Sequence, residues 1–169
     1  MAFADELVER GLPVHRFGRC FDNREELDQM PHDISQSYKF YLAFENTYHC
    51  RDYLTEKFWF NSIMANRVPV VWGPSKEDVA KLAPPNSFIH AEDFENADQL
   101  TRYLLYLHDN TTAYRQYFKW IEDGETDFLK RYDVVREELL CQKLNSEHER
   151  KSIPSVTDFF FNEECIDNQ

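Results

Sequence analysis

Glu56 and Lys57 are adjacent, an acid beside a cation, where both can meet one anionic ligand. They follow Thr55, a favourable N-cap, and so open a predicted helix. Upstream, Phe40-Tyr41-Leu42-Ala43-Phe44 reads as a strand that ends in Glu45-Asn46, and Tyr53 lies in the loop between strand and helix. A strand, a short polar loop and a helix start in that order suit a sugar nucleotide. Amides at the helix N-terminus and the Lys57 ammonium would meet a diphosphate, while the Glu56 carboxylate would hold a ribose diol. Asn46, Tyr53 and Tyr41 are the remaining candidates around such a ligand. Each candidate also has a plain structural explanation. Glutamate is favoured in a first helical turn by the dipole, asparagine closes strands without a ligand, and an aromatic ahead of a helix is often a packing staple.

Other chemistries find less support. With only 4 glycines and no G-x-G-x-x-G or Walker sequence, a glycine-rich loop cannot cradle phosphates, which leaves a lysine-and-helix site. The acidic run Asp123-Gly124-Glu125-Thr126-Asp127 lacks calcium-loop spacing and reads as a solvated turn. Glu92-Asp93 is expected to lead into the next helix, so no metal site is predicted. The six histidines are scattered, and His90 reads as a satisfied residue of an apolar strand. Cys20, Cys50, Cys141 and Cys165 have no metal-ligand spacing, and disulfides and reduced thiols both remain open. Asn110-Thr111-Thr112 is a single N-glycosylation sequon.

At 169 residues, 42% of them hydrophobic, the chain can bury a full core. A net charge of −12 repels phosphate backbones, which argues against nucleic-acid binding. No apolar run approaches the roughly 20 residues of a membrane helix. The polar amphipathic start does not resemble a leader peptide, so the chain as written is expected to be soluble.

The elements that would position the candidates follow an alternating order. A first helix stops at Gly11, residues 12–17 read as a short strand, and a short helix falls near residues 25–30. After the strand ending at Phe44, Thr55 caps a helix running to about Asn66. The run Val68-Pro69-Val70-Val71-Trp72 reads as a parallel strand buried on both faces. A helix over 77–82, a strand over 87–91 and a helix over 96–108 come next. Residues 113–144 read as helical, and 152–161 as a last docked helix. This alternation predicts an α/β wound sheet, with ligands outside the carboxyl ends of its strands. The chain divides into a lead-in over 1–37, a nucleotide-binding domain over 38–150, and a helix and tail over 151–169.

Several blocks also resemble the C-terminal half of the α-1,3-fucosyltransferases. They are Tyr38-Lys39-Phe40-Tyr41-Leu42-Ala43-Phe44-Glu45-Asn46, Asp52-Tyr53-Leu54-Thr55-Glu56-Lys57 and Val68-Pro69-Val70-Val71-Trp72-Gly73-Pro74-Ser75. Ala83-Pro84-Pro85-Asn86-Ser87-Phe88-Ile89-His90, Glu92-Asp93-Phe94 and Tyr117-Phe118-Lys119-Trp120 follow in the family's order. The resemblance implies a Rossmann-like donor domain of a GT-B glycosyltransferase. It further implies GDP-fucose as donor, a glycan bearing N-acetylglucosamine as acceptor, and inverting transfer without a metal or other cofactor. Position by position, Glu56 corresponds to the ribose carboxylate, Lys57 and Tyr53 to diphosphate contacts, and Asn46 to the residue facing the fucose–phosphate end. Tyr41 corresponds to a further donor-pocket residue.

The resemblance also marks departures. The family's general base belongs to an upstream acceptor domain, and its arginine on the donor phosphates falls where this chain has Met1-Ala2. Its Cys-x-x-Cys pair is represented by Glu138 and Cys141. Golgi lumenal residence and a membrane anchor are implied for a full-length form. The expectation is a chain that binds donor but transfers little alone. The alternative is a non-catalytic nucleotide-binding or interaction module derived from such an enzyme.

Overall fold

The computed structural model describes residues 2–17, 21–23, 37–47, 50 and 52–124, together with 141, 144–145, 152 and 154–155. Three strands, β1 (Phe40–Phe44), β2 (Val68–Trp72) and β3 (Ile89–His90), form a parallel sheet in the order β1-β2-β3. Leu42 stands opposite Val70, and Val70 opposite Ile89. The run of five apolar residues in β2 has the reason anticipated for it. Val68 and Val70 enter one hydrophobic cluster with Leu7, Leu100, Leu104 and Leu107, while Val71 enters another with Phe58, Ile63, Val79 and Trp120. A central parallel strand is covered on both sides, so both of its alternating faces must be apolar.

Helices supply those covers. On one side lie α1 (Ala2–Glu9) and the 13-residue helix Ala97–Asp109. The other side carries α2 (Glu56–Trp59) and α3 (Lys76–Leu82); with these named, the Ala97–Asp109 helix is α4. Asn96 caps α4, its side chain accepting from Gln99 N. Leu7 of α1 is fully buried in the cluster with α4 and β2, so this part of the lead-in belongs to the sheet's own core. Short helical pieces complete the order: α5 (Thr111–Arg115), a 3-10 turn at Gln116–Phe118, and α6 (Lys119–Glu122).

Lys39, just before β1, ties the beginning of the sheet to these helices. Its carbonyl accepts from Val68 N at 2.9 Å and from the Tyr114 hydroxyl at 2.7 Å. Its ammonium donates to the His108 carbonyl at 2.6 Å and lies over the Tyr114 ring.

Some local expectations give way. Gly11 does end α1 with φ +93°, but residues 12–17 form no strand. Pro13 offers no backbone donor, and Arg16 folds back to donate to Asp5 and the Ala4 carbonyl, which holds the segment on α1 instead of a sheet edge. The helix expected over 55–66 breaks after Trp59. The Ser62 hydroxyl donates to the Lys57 carbonyl at 2.7 Å, and a 3-10 turn at Ile63–Ala65 follows, closed by Asn66 at φ 55°. The strand expected over 87–91 contracts to two residues because Ser87 turns back, its amide and hydroxyl both donating to the Pro84 carbonyl. The readings for 25–30 and for most of 125–169 lie outside the described residues.

Candidate functional site

The site is built where β1 and β2 end. Beyond Phe44 the pairing continues for one residue, Glu45 N donating to the Trp72 carbonyl at 2.9 Å. Gly73 follows β2 at φ +125°, a conformation that L side chains rarely adopt. The two exits therefore run side by side, and the chain beyond β1 turns toward α2 with Glu45 beneath it.

Glu45 is the centre of this arrangement. Its side chain is 0% exposed, yet it carries a carboxylate with a full set of partners. Oε1 accepts from Thr55 N at 2.8 Å, the Thr55 hydroxyl lies 2.9 Å from both carboxylate oxygens, and Lys57 Nζ donates to Oε2 at 2.9 Å. A buried charge is tolerated when it is paired and hydrogen-bonded on every side, as here. Thr55 also caps α2, its hydroxyl accepting from Lys57 N. Lys57 is 21% exposed. Burial alone would lower its pKa, but the hydrogen bond and charge of Glu45, with smaller contributions from Glu56 and Tyr53, outweigh it and raise the value. The ammonium stays charged.

The predicted residues gather unevenly around this centre. Asn46 is exposed on the bend after Glu45, Tyr53 is half-buried just ahead of the cap, and Glu56 is exposed in the first turn of α2. Together with Lys57 they form a polar rim at the carboxyl ends of the strands. Tyr41 is set back in the middle of β1, opposite Pro69, with its hydroxyl accepting from Asn61 Nδ2 at 3.1 Å. Asn110 is remote. It joins α4 to α5 near Lys39, at the amino end of β1 and opposite the rim. With four residues, α2 has little axial dipole, so an anion here depends on Lys57 more than on helix amides.

Glu45 was expected only to close β1 with Asn46, not to anchor the site. The available signal was an acid directly after an apolar strand, paired with a lysine at the next helix start. Among the described residues, no group of three or more His, Cys, Asp or Glu is placed to hold a metal. Asp93 instead pairs with Lys76 at 2.7 Å. His90 is buried, and its Nε2 lies 2.9 Å from the Pro74 carbonyl. Cys50 is buried and disulfide-bonded, whereas Cys141 is an exposed free thiol.

Residues 1–159 match the family described as glycosyltransferase family 10 (fucosyltransferase) C-term. The chain belongs to this family. Among its relatives, the alpha-(1,3)-fucosyltransferase 4 of Mus musculus is 41% identical over 155 residues, covering 90% of this chain and 35% of the relative. A 3-galactosyl-N-acetylglucosaminide 4-alpha-L-fucosyltransferase of Bos taurus is 40% identical over 155 residues, covering 92% of this chain and 41% of the relative. A crystal structure of an alpha1,3-fucosyltransferase with GDP-fucose aligns at a TM-score of 0.53 and 34% identity, over 69% of this chain and 33% of that one. The family and these neighbours make the parallel sheet a Rossmann-like domain of the GT-B fold and liken the chain to the C-terminal part of the fucosyltransferases. It spans about a third to two-fifths of the length of these relatives. Among the described residues, no helix is long and apolar enough to cross a membrane.

Proposed function

We propose that this chain is the donor-binding part of an α-1,3-fucosyltransferase, with GDP-fucose held across the carboxyl ends of β1 and β2. The observation that carries the reading is Lys57, a charged ammonium fixed at that rim by the buried Glu45. A similar structure of the family was crystallised with GDP-fucose, and a fixed lysine ammonium at the strand ends suits a nucleotide diphosphate. Lys57 and Tyr53 would meet the diphosphate, Glu56 the ribose diol, and Asn46 the fucose–phosphate end. Tyr41, anchored by Asn61, supports the pocket floor.

With the donor held so, transfer would run as the family resemblance implies. An acceptor hydroxyl on an N-acetylglucosamine-containing glycan attacks the anomeric carbon of fucose from the face opposite GDP. The new C–O bond forms as the bond to the β-phosphate oxygen breaks, which inverts the anomeric centre. Negative charge then develops on the departing diphosphate, where a fixed ammonium stabilises it without a metal ion. The base that accepts the hydroxyl proton is not assigned to any residue here; the family pattern gives it to an acceptor-binding domain. The family's setting is the Golgi lumen, where such a donor and acceptor meet.

The test is calorimetric titration of the purified chain with GDP-fucose, repeated with excess EDTA and with Lys57→Ala. The unsubstituted chain should bind equally with and without EDTA. Lys57→Ala should bind on the order of tenfold to a hundredfold more weakly, as expected for a lost charge-assisted hydrogen bond. No binding by the unsubstituted chain, or undiminished binding by the variant, would overturn the assignment.

A further inference from the structure

We infer that Glu45 is a positioning residue for this site: it holds Lys57 at the strand ends with an ammonium proton left for the ligand. The inference rests on the donor reading above, and the geometry of the pair carries it. A lysine ammonium has three donors. One meets Glu45 Oε2 at 2.9 Å, a second faces the Thr55 hydroxyl at 3.5 Å, and no further polar partner of Nζ occurs among the described residues. Because the side chain retains 21% exposure, the remaining proton has access to an incoming anion.

The same carboxylate takes the Thr55 amide and hydroxyl, so cap and cation share one anchor. An unanchored lysine would have to order its long side chain on binding, a cost that the ion pair removes beforehand. The titratable groups acting on the ammonium are Glu45 from the end of β1, Glu56 from its own helix and Tyr53 from the preceding loop. Glu45 is the one that hydrogen-bonds it, so its loss leaves burial less opposed.

This separates a positioning role from a merely structural one. GDP is titrated into the unsubstituted chain and into Glu45→Gln, from roughly pH 8 to 11. The ratio of their dissociation constants should widen several-fold as pH rises, because without Glu45 the Lys57 ammonium gives up its proton at a lower pH than in the unsubstituted chain. Taking the ratio cancels any titration of GDP itself. In a Lys57→Arg background the ratio should stay flat, because a guanidinium remains charged throughout. A flat ratio with lysine, or an equal widening with arginine, overturns the role of Glu45 while leaving the donor site standing. No GDP binding by the unsubstituted chain overturns the donor reading and this inference together. Should circular dichroism show Glu45→Gln unfolded, the carbon-13 signal of the Lys57 ε-carbon in the unsubstituted chain decides instead. A midpoint above the ordinary 10.5 is expected, and one at or below it overturns the proposal.

Discussion

A Cβ placed on Gly73 would stand 2.7 Å from the carbonyl oxygen of Thr47 and 3.0 Å from the Cβ of Glu45. The first contact is with backbone, which cannot swing aside as a side-chain tip can. Gly73→Ala should therefore push the exit of β1 away from β2 and disturb the anchor of Lys57. With the strained φ included, a loss of about 1–3 kcal/mol is expected in urea unfolding, together with weakened GDP binding. A variant with unchanged midpoint and affinity would show that the two exits are free to separate.

Lys57→Ala leaves the Glu45 carboxylate buried and without its cation. Removing one member of a buried pair costs more than removing both, and a destabilisation of about 1–3 kcal/mol is expected. The double variant Glu45→Gln/Lys57→Met should recover most of that stability while still binding GDP on the order of tenfold to a hundredfold more weakly than the unsubstituted chain. Chemical denaturation beside calorimetry tests both halves. Equal destabilisation of single and double variants would mean that the pair is not the source of the cost.

Much of this arrangement was legible in the sequence wherever one element explains itself. The Val68–Trp72 run has to be covered on both faces, Asn96 and Thr55 carry the side chains that caps require, and Gly11 supplies the positive φ at the end of α1. The illegible parts depend on partners distant in the chain. Nothing local marks Glu45 as fully buried, since its burial is permitted only by Thr55 and Lys57 folding over it. Residues 12–17 fail as a strand because Arg16 finds Asp5, a pairing that no periodicity encodes. The helix after Thr55 is cut short by the Ser62 hydroxyl, although Phe58 and Ile63 still enter one hydrophobic cluster.

High pH should reveal the role of Tyr114. Burial pushes its hydroxyl up from 10.0 to about 12, against a smaller opposing pull from Arg67. Its contribution is thus complete below pH 10.0 and is lost as pH rises through about 12, where the phenolate can no longer donate to the Lys39 carbonyl. Tyr117 is raised further, by burial and by its hydrogen bond with Tyr103, and stays neutral across that window. Tyr114→Phe should cost about 1 kcal/mol at neutral pH. That deficit should shrink between pH 10.0 and 12 in denaturation curves, and a constant deficit would contradict the assignment.

The sequon at Asn110 can be tested without disturbing the helix that it caps. Asn110 Oδ1 accepts from Ala113 N, so replacing the asparagine would remove a cap worth about 1 kcal/mol. Thr112→Ala destroys the sequon at an exposed position and leaves that bond in place. Expressed through a secretory pathway, the parent chain should carry an endoglycosidase-sensitive glycan that Thr112→Ala lacks. GDP affinity should be the same for both, because the glycan would sit at the end of the sheet away from Lys57. An unshifted parent band would remove the glycosylation assignment.

Lys39 gives the domain a mechanical polarity. Its carbonyl and ammonium together pin β1 to β2, α4 and α5 at one end of the sheet. The strands are thereby fastened like the ribs of a fan at its handle, and their opposite tips carry Asn46, Gly73 and the turn into α2. The pinned end of β1 thus lies opposite the end that carries the site residues, with both hydrophobic clusters between them.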